Sequence, residues 1–253
     1  APGPTMDKIT PRIAQTAKIL WFMYLGLTVA ETSLLMVGGM SLYDALTHTF
    51  GTLATGGFSP KAASVGHYDS GFIDAVVTVF MMMAGVNFAL YFRLITGHIG
   101  SVFRNAEFRV YVSIFIVTTV AMALVLTLDR YYPDFAVSLR YASFQSATIL
   151  TTTGYVTTDY ALWPESAKGI LFALMFIGGC SGSTGGGIKV IRIVTLIKLA
   201  IHEMKQLAYP NHVFRLSLGG ETIERGVVRT IAVFFFLYVA LLVFVTVVAG
   251  TSG

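Results

Sequence analysis

Five stretches of this chain are apolar for long enough to cross a hydrocarbon core, and that limits its fold more than any other feature. They fall at about 18–40, 71–95, 109–128, 167–201 and 228–249. At 1.5 Å of rise per helical residue, roughly 20 residues cover the core. Inside lipid the backbone must pair with itself, and runs of this length do so as helices. Charged residues make up 12% of the 253 and mean hydropathy is +0.73, whereas a water-soluble domain keeps about a quarter of its residues charged. The expected class is an all-α integral membrane protein.

Charge sets the orientation. Thirteen of the 17 Lys and Arg fall at the start (Lys8, Arg12, Lys18), in the second-to-third connection (Arg93, Arg104, Arg109) and between Lys189 and Arg229. The other two long connections hold Lys61, Arg130, Arg140 and Lys168 against Asp44, Asp69, Asp74, Asp129, Asp134, Asp159 and Glu165. Cationic loops stay cytoplasmic, so the chain is expected to enter from the cytoplasm and end outside. These cations sit between apolar blocks rather than on one polar face, so a net charge of +4 implies no nucleic-acid partner. A single cysteine, Cys180, excludes an internal disulfide and a Cys-rich metal site. Ala1 to Thr10 is polar with two prolines and does not read as a signal peptide.

Both outer connections begin with a short amphipathic run that is too short to span, as a re-entrant half-helix is. The first runs from Leu42 to Leu53 and leads into Ala54-Thr55-Gly56-Gly57-Phe58-Ser59. The second runs from Leu139 to Thr151 and leads into Thr152-Thr153-Gly154-Tyr155-Val156-Thr157. The unit span, half-helix, Thr-Gly loop, span therefore occurs twice, and aligning Gly56 with Gly154 sets its period at 98 residues. The expected organisation is a unit over 1–107 with pore loop Thr55-Ser59, a second over 108–205 with pore loop Thr152-Thr157, and a linker plus the first span of a further unit over 206–253.

A cation entering a narrow pore must exchange its water for other oxygens, and rings of backbone carbonyls can supply them. Glycine allows the dihedrals that such a strand needs, and the C-terminal end of a half-helix favours a cation over an anion. Thr55, Gly56, Gly57, Thr152, Thr153, Gly154 and Tyr155 are the candidate filter residues, with K⁺ expected at the carbonyls of Thr55, Gly56, Thr153 and Gly154. One Thr-Gly pair is an ordinary turn; two at matching places in a repeat are not.

The fourth apolar stretch is interrupted by Gly178-Gly179-Cys180-Ser181-Gly182-Ser183-Thr184-Gly185-Gly186-Gly187. The apolar helix before it covers only about 14 Å, half the core, so the run lies near mid-membrane. Irregular backbone survives there only against protein or water. A gate beneath the filter is the expected role, and a flexible linker between half-helices is the alternative. A phosphate-binding loop is excluded, because no strand precedes the run and Ile188 stands between Gly187 and Lys189.

Other polar residues have plainer readings. Glu31, inside the first span, is expected to hydrogen-bond a half-helix. His48 and Asp44 share a helical face behind the filter, and Asn87 either lines the pore or bonds a neighbouring helix. Lys189 and Arg192 are expected either to reach the cytoplasmic headgroups or to place positive charge by the inner vestibule, as an electrostatic barrier to cations. No catalytic constellation or zinc spacing is present, and no enzyme is expected.

The segments Gly38 to Ser59, Thr152 to Tyr155 and Gly178 to Lys189 resemble the Trk/Ktr/HKT potassium transporters, closest to the bacterial TrkH type. In that family four covalent repeats of helix, pore loop and helix surround one pore, and a glycine-rich loop interrupts the second helix of the third repeat. The chain resembles the second repeat, the third, and the first helix of the fourth. The resemblance implies K⁺ as the conducted ion, Na⁺ being the other cation the family carries, and no covalent cofactor. It implies that Gly56 and Gly154 are filter glycines and that Gly178 to Gly187 is the gate loop. It further implies a bacterial cytoplasmic membrane, a homodimer and a cytoplasmic nucleotide-binding subunit of the TrkA or KtrA type. Two loops cannot close a ring of four, so this stretch alone is not expected to conduct. Two other classes compete: an alternating-access transporter with a broken-helix substrate site, which calls for inverted repeats, and a non-conducting scaffold, which calls for Gly-x-x-x-Gly patterns in continuous helix.

Overall fold

The computed structural model describes residues 13–208, 217–218, 221–222 and 225–251. Lys8 and Arg12, counted above among the cytoplasmic cations, lie outside them. The chain divides into two compact units, Ala1–Val190 and Ile191–Gly253.

The first unit is helical. Helix α1 (Ile13–Val37) leads to α2 (Leu42–Leu53), α3 (Gly71–Ala84), α4 (Phe88–Ile95), α5 (Ile99–Arg104), α6 (Ala106–Leu128), α7 (Phe135–Leu150) and α8 (Glu165–Leu174). Within these, Ala17–Val37 and Ala106–Leu128 are long and apolar enough to cross a membrane. Trp21, Phe22, Val37 and Val117 lie on their exposed faces, as surfaces in contact with lipid do.

The half-helices appear where the sequence places them, with one shift. Helix α2 starts at Leu42 because the Ser41 side chain accepts from Asp44 N. Helix α7 starts four residues before the expected Leu139, because Asp134 accepts from Val137 N at 2.8 Å and caps the added turn. Leu35, Ala45, Leu53, Val77, Met81, Phe144 and Ala147 form the core where α1, α2, α3 and α7 meet. Met122, Leu126, Ala142, Trp163 and Leu171 join α6, α7 and α8. Between lipid-embedded helices such packing, with internal hydrogen bonds, replaces exclusion from water as the cohesive term.

The second expected span is not straight. Helices α3 and α4 meet at Gly85-Val86-Asn87 with a bend of 97°. Asn87 caps α4 by accepting from Ala89 N at 2.9 Å. The backbone groups freed at the bend are paired by a distant segment: Gly85 O accepts from Cys180 N at 2.8 Å, and Phe88 N donates to Gly182 O at 3.2 Å. The fourth expected span is broken as the sequence implies, with α8 ending at Leu174 and α9 (Val190–Ala208) beginning after the glycine run.

The second unit holds most of α9, a ribbon of two-residue strands, and α10 (Arg225–Thr251). The ribbon pairs β1 (Ser217–Leu218) antiparallel with β2 (Glu221–Thr222), and with the single parallel bridge between Ile177 and Ile188 it is the β structure among the described residues. Gly226–Thr251 is the most apolar of the membrane-length helices. Arg192 lies over the Phe234 ring, 4.2 Å from its centroid, so its guanidinium is held by an aromatic face.

Candidate functional site

Each half-helix ends in the same backbone figure. After α2, Ala54 N donates to Phe50 O, Thr55 N to Thr52 O, and Gly56 and Gly57 N both to Gly51 O. After α7, Thr151 N donates to Ala147 O, Thr152 N to Ile149 O, and Thr153 and Gly154 N both to Thr148 O. Thr55 and Thr152 take left-handed φ of 52° and 61°, and Gly57 and Gly154 take 66° and 89°.

This pattern corrects the period. Every matched pair differs by 97 residues, the separation of Phe58 and Tyr155, rather than the 98 obtained by aligning Gly56 with Gly154. The counterpart of Gly154 is Gly57, and that of Gly56 is Thr153. Two adjacent glycines in Thr55-Gly56-Gly57 leave the choice open in sequence. The positive φ decides it, because only the second needs a conformation that side chains resist.

The two loops abut. A Cβ at Gly57 would run into the Thr153 carbonyl, and one at Gly51 would run into the Tyr155 hydroxyl. The fully buried Tyr155 side chain crosses to the first loop, where its hydroxyl donates to His48 O at 2.9 Å and Phe58 O at 3.1 Å. Ser64 Oγ accepts from Val156 N, and Gly66 N donates to Val156 O. Gly56 and Gly154 are exposed, and a Cβ at Gly154 would meet open space.

The glycine run folds into a non-helical loop directly against these loops. Its neck closes where Gly178 N donates to Ile188 O and Val190 N to Gly179 O, with Gly178 packed on Gly186 too closely for a side chain. At its crown the Thr55 hydroxyl donates to Thr184 O at 3.0 Å, and Gly186 N donates to Thr152 Oγ1 at 2.6 Å. On its flank Thr184 Oγ1 donates to Ala84 O at 3.1 Å, and Asn87 lies against Gly182. Asn87 thus caps a helix and touches the loop. Ser183 Oγ donates to Cys180 O, and Gly179, Cys180 and Gly185 are buried while Gly187 is exposed. The Lys189 ammonium folds back onto Gly185 O and Ser183 Oγ, which corrects the expectation that it reaches for headgroups.

Behind the first loop, His48 Nδ1 donates to the Asp44 carbonyl at 2.8 Å and Nε2 accepts from Ser59 Oγ at 3.0 Å, an assignment that follows from the partners. The neighbouring Tyr68 hydroxyl and the Lys61 ammonium, the latter 3.2 Å away, hold the Asp44 carboxyl below the usual carboxylate range. The imidazole and the carboxylate do not converge on a metal position. Among the described residues no group of three His, Cys, Asp or Glu could hold one. Glu31 is fully buried, and its carboxyl lies beside the Thr52 hydroxyl of the first half-helix, the side the sequence predicted.

Two positions in contact with these loops carry no clear signal in the sequence. Gly51 makes room for Tyr155, signalled only by a glycine inside a half-helix. Glu107, in the first turn of α6, accepts from Ser181 N at 2.6 Å. A lone acidic residue at a span's start gave no sign of a partner 74 residues later.

Residues 5–252 match a family model described as TrkH, cation transport protein. The chain is 41% identical over 239 residues to the Trk system potassium uptake protein TrkH of Salmonella typhimurium, covering 94% of this chain and 50% of that protein. To TrkG of Escherichia coli K12 it is 34% identical over 255 residues, covering 100% and 52%. The crystal structure of the potassium transporter TrkH from Vibrio parahaemolyticus superposes with a TM-score of 0.87 at 38% identity, over 97% of this chain and 53% of that one. The chain therefore spans about half the length of the relatives it matches.

Proposed function

Because the chain belongs to the TrkH family of cation transport proteins, which are membrane transporters rather than enzymes, we propose that it supplies two filter loops and the gate of a K⁺-conducting pathway. The filter strands are Thr55-Gly56-Gly57 and Thr152-Thr153-Gly154, and their carbonyls replace the water of the entering ion. Gly178 to Gly187 is the gate, lying beneath them in the conduction path. Residues 1–107 and 108–205 act as successive helix, pore loop, helix units, and 206–253 opens a further one. The whole protein works in the bacterial cytoplasmic membrane as a homodimer, with a cytoplasmic nucleotide-binding subunit controlling the gate.

The observation that carries this reading is the pair of contacts from filter threonines to the glycine loop, Thr55 to Thr184 and Gly186 to Thr152. A linker between half-helices has no reason to seat against both loops at once. The composition of the loop suits a gate, since small side chains leave little bulk once the segment moves aside and glycine gives it many dihedral options.

The test is ion uptake by the whole gene product in cells stripped of their own K⁺ uptake systems. Deleting Gly185 to Gly187 should raise K⁺ uptake and weaken its dependence on the cytoplasmic subunit. Replacing Gly154 with Ser should lower K⁺ preference over Na⁺ more than it lowers membrane abundance. If both variants leave rate, regulation and ion preference at wild-type values, the reading is wrong.

A further inference from the structure

The gate loop is gripped from one side at two adjacent residues. Ser181 N donates to the Glu107 carboxylate at 2.6 Å, and Gly182 O accepts from Phe88 N at 3.2 Å. Phe88 begins α4, and Glu107 sits one residue into α6, so the two grips bracket the 88–107 segment. That segment is short-jointed: α4 and α5 are separated by Thr96-Gly97-His98, and α5 and α6 by Asn105 alone. It carries Arg93 and Arg104, with Arg109 just beyond it, the cations that assign it to the cytoplasmic side.

The two grips differ in kind. Phe88 N to Gly182 O is a bond between neutral backbone groups. A carboxylate accepting a backbone N–H at 2.6 Å is the stronger, charge-assisted type. Glu107 is buried, with 7% of its surface exposed, so water does not replace the bond when it breaks. Its place in the first turn of α6 ties the bond to the position of that helix end.

We infer that Glu107 is a positioning residue of the gate, a latch through which the cytoplasmic 88–107 segment holds Ser181 and Gly182 in the closed arrangement. The inference rests on reading Gly178 to Gly187 as the gate. Moving the first turn of α6 releases Ser181, and the segment on which Glu107 sits faces the compartment of the regulatory subunit. The latch touches the loop and not the filter, so it sets how often the pathway is open and leaves ion preference alone.

The experiment uses the whole gene product with its cytoplasmic subunit and compares wild type, Glu107→Ala, Glu107→Gln, the Gly185–Gly187 deletion, and the deletion combined with Glu107→Ala. Loss of a charge-assisted bond should move the closed-to-open ratio by roughly tenfold. Unstimulated K⁺ uptake in Glu107→Ala should therefore rise in maximal rate, with KM for K⁺ and the K⁺/Na⁺ ratio unchanged. Glu107→Gln, which keeps an acceptor oxygen without the charge, should fall between Ala and wild type. In the deletion background Glu107→Ala should add nothing, because there is no longer a closed loop to hold. A general packing defect would lower the rate or shift ion preference, and would add to the deletion. If the deletion raises uptake while both Glu107 variants match wild type, the latch is wrong and the gate stands. If neither the deletion nor the Glu107 variants raise uptake, the gate reading fails with it. Should Glu107→Ala not reach the membrane, Glu107→Gln decides alone, and wild-type unstimulated uptake in that variant overturns the latch.

Discussion

The hydroxyl of Tyr155 donates to the carbonyl of Phe58, its own counterpart in the preceding repeat, 3.1 Å away. The same hydroxyl donates to His48 O at 2.9 Å, so one side chain fixes the end of one half-helix and the strand that follows it. Phe58 has no hydroxyl to return the contact. The two loops are thus joined by a brace that runs one way.

Tyr155→Phe removes that brace and little else. The His48 and Phe58 carbonyls lose their shared donor, at a cost of roughly 1–3 kcal/mol for buried acceptors left unpaired. Thermal unfolding in detergent should shift down by a few degrees, and the K⁺/Na⁺ uptake ratio should fall. A ratio equal to wild type would mean that Tyr155 packs the loops without setting their geometry.

Gly51→Ala forces a methyl into the Tyr155 hydroxyl. Overpacking of this kind costs about 1–3 kcal/mol. Adding Tyr155→Phe to Gly51→Ala opens the space again, so the double variant should be more stable than the sum of the single losses. Strict additivity in a thermal-shift cycle would show that the two positions do not share a contact.

The corrected period separates two neighbouring glycines. Gly57 has φ of 66° and lies against the Thr153 carbonyl, whereas a Cβ at Gly56 would meet only the exposed Phe58 ring. An L side chain in the left-handed region costs roughly 1–2 kcal/mol before any clash. Gly57→Ala should therefore reduce folded protein and K⁺ uptake far more than Gly56→Ala, as measured by membrane abundance and flux. Equal damage at both would restore the 98-residue alignment.

Near the N-terminal ends of α3 and α7, Arg140 Nε donates to Asp74 Oδ2 at 2.7 Å, and the Asp74 side chain is only 3% exposed. Arg140→Met leaves that carboxylate buried without its partner, at a cost of about 3 kcal/mol, the low end for such pairs because Arg140 is partly exposed. Combining it with Asp74→Leu should recover most of the loss in a detergent melting assay. Failure of the second change to recover stability would mean that Arg140 acts through packing over Tyr141, whose ring lies 5.1 Å from the guanidinium.

Much of this architecture was written in local patterns. The bounds of α2 follow from Ser41 and the apolar run behind it, and the break after α8 follows from ten residues that cannot hold a helix together. What stayed hidden depended on partners far along the chain. The apolar stretch from Gly71 to Ile95 reads as one span, because the groups that pair its broken backbone are Cys180 N and Gly182 O. The register of the first loop is set by bonds to Gly51 O and by the φ of Gly57, neither of which the Thr-Gly motif specifies. Glu107 carries no signature, since a first-turn carboxylate is equally at home capping its own helix.

The bend at Gly85-Val86-Asn87 and the glycine loop satisfy one another: Gly85 O and Phe88 N on the bend pair with Cys180 N and Gly182 O on the loop. Neither can straighten or swing away alone without leaving backbone groups of the buried Gly85, Phe88 and Cys180 unpaired. A gate built on this pair is expected to move in one step, because those hydrogen bonds must break together. Single-channel records of such a device would contain two current levels and abrupt steps between them, with no graded sublevels.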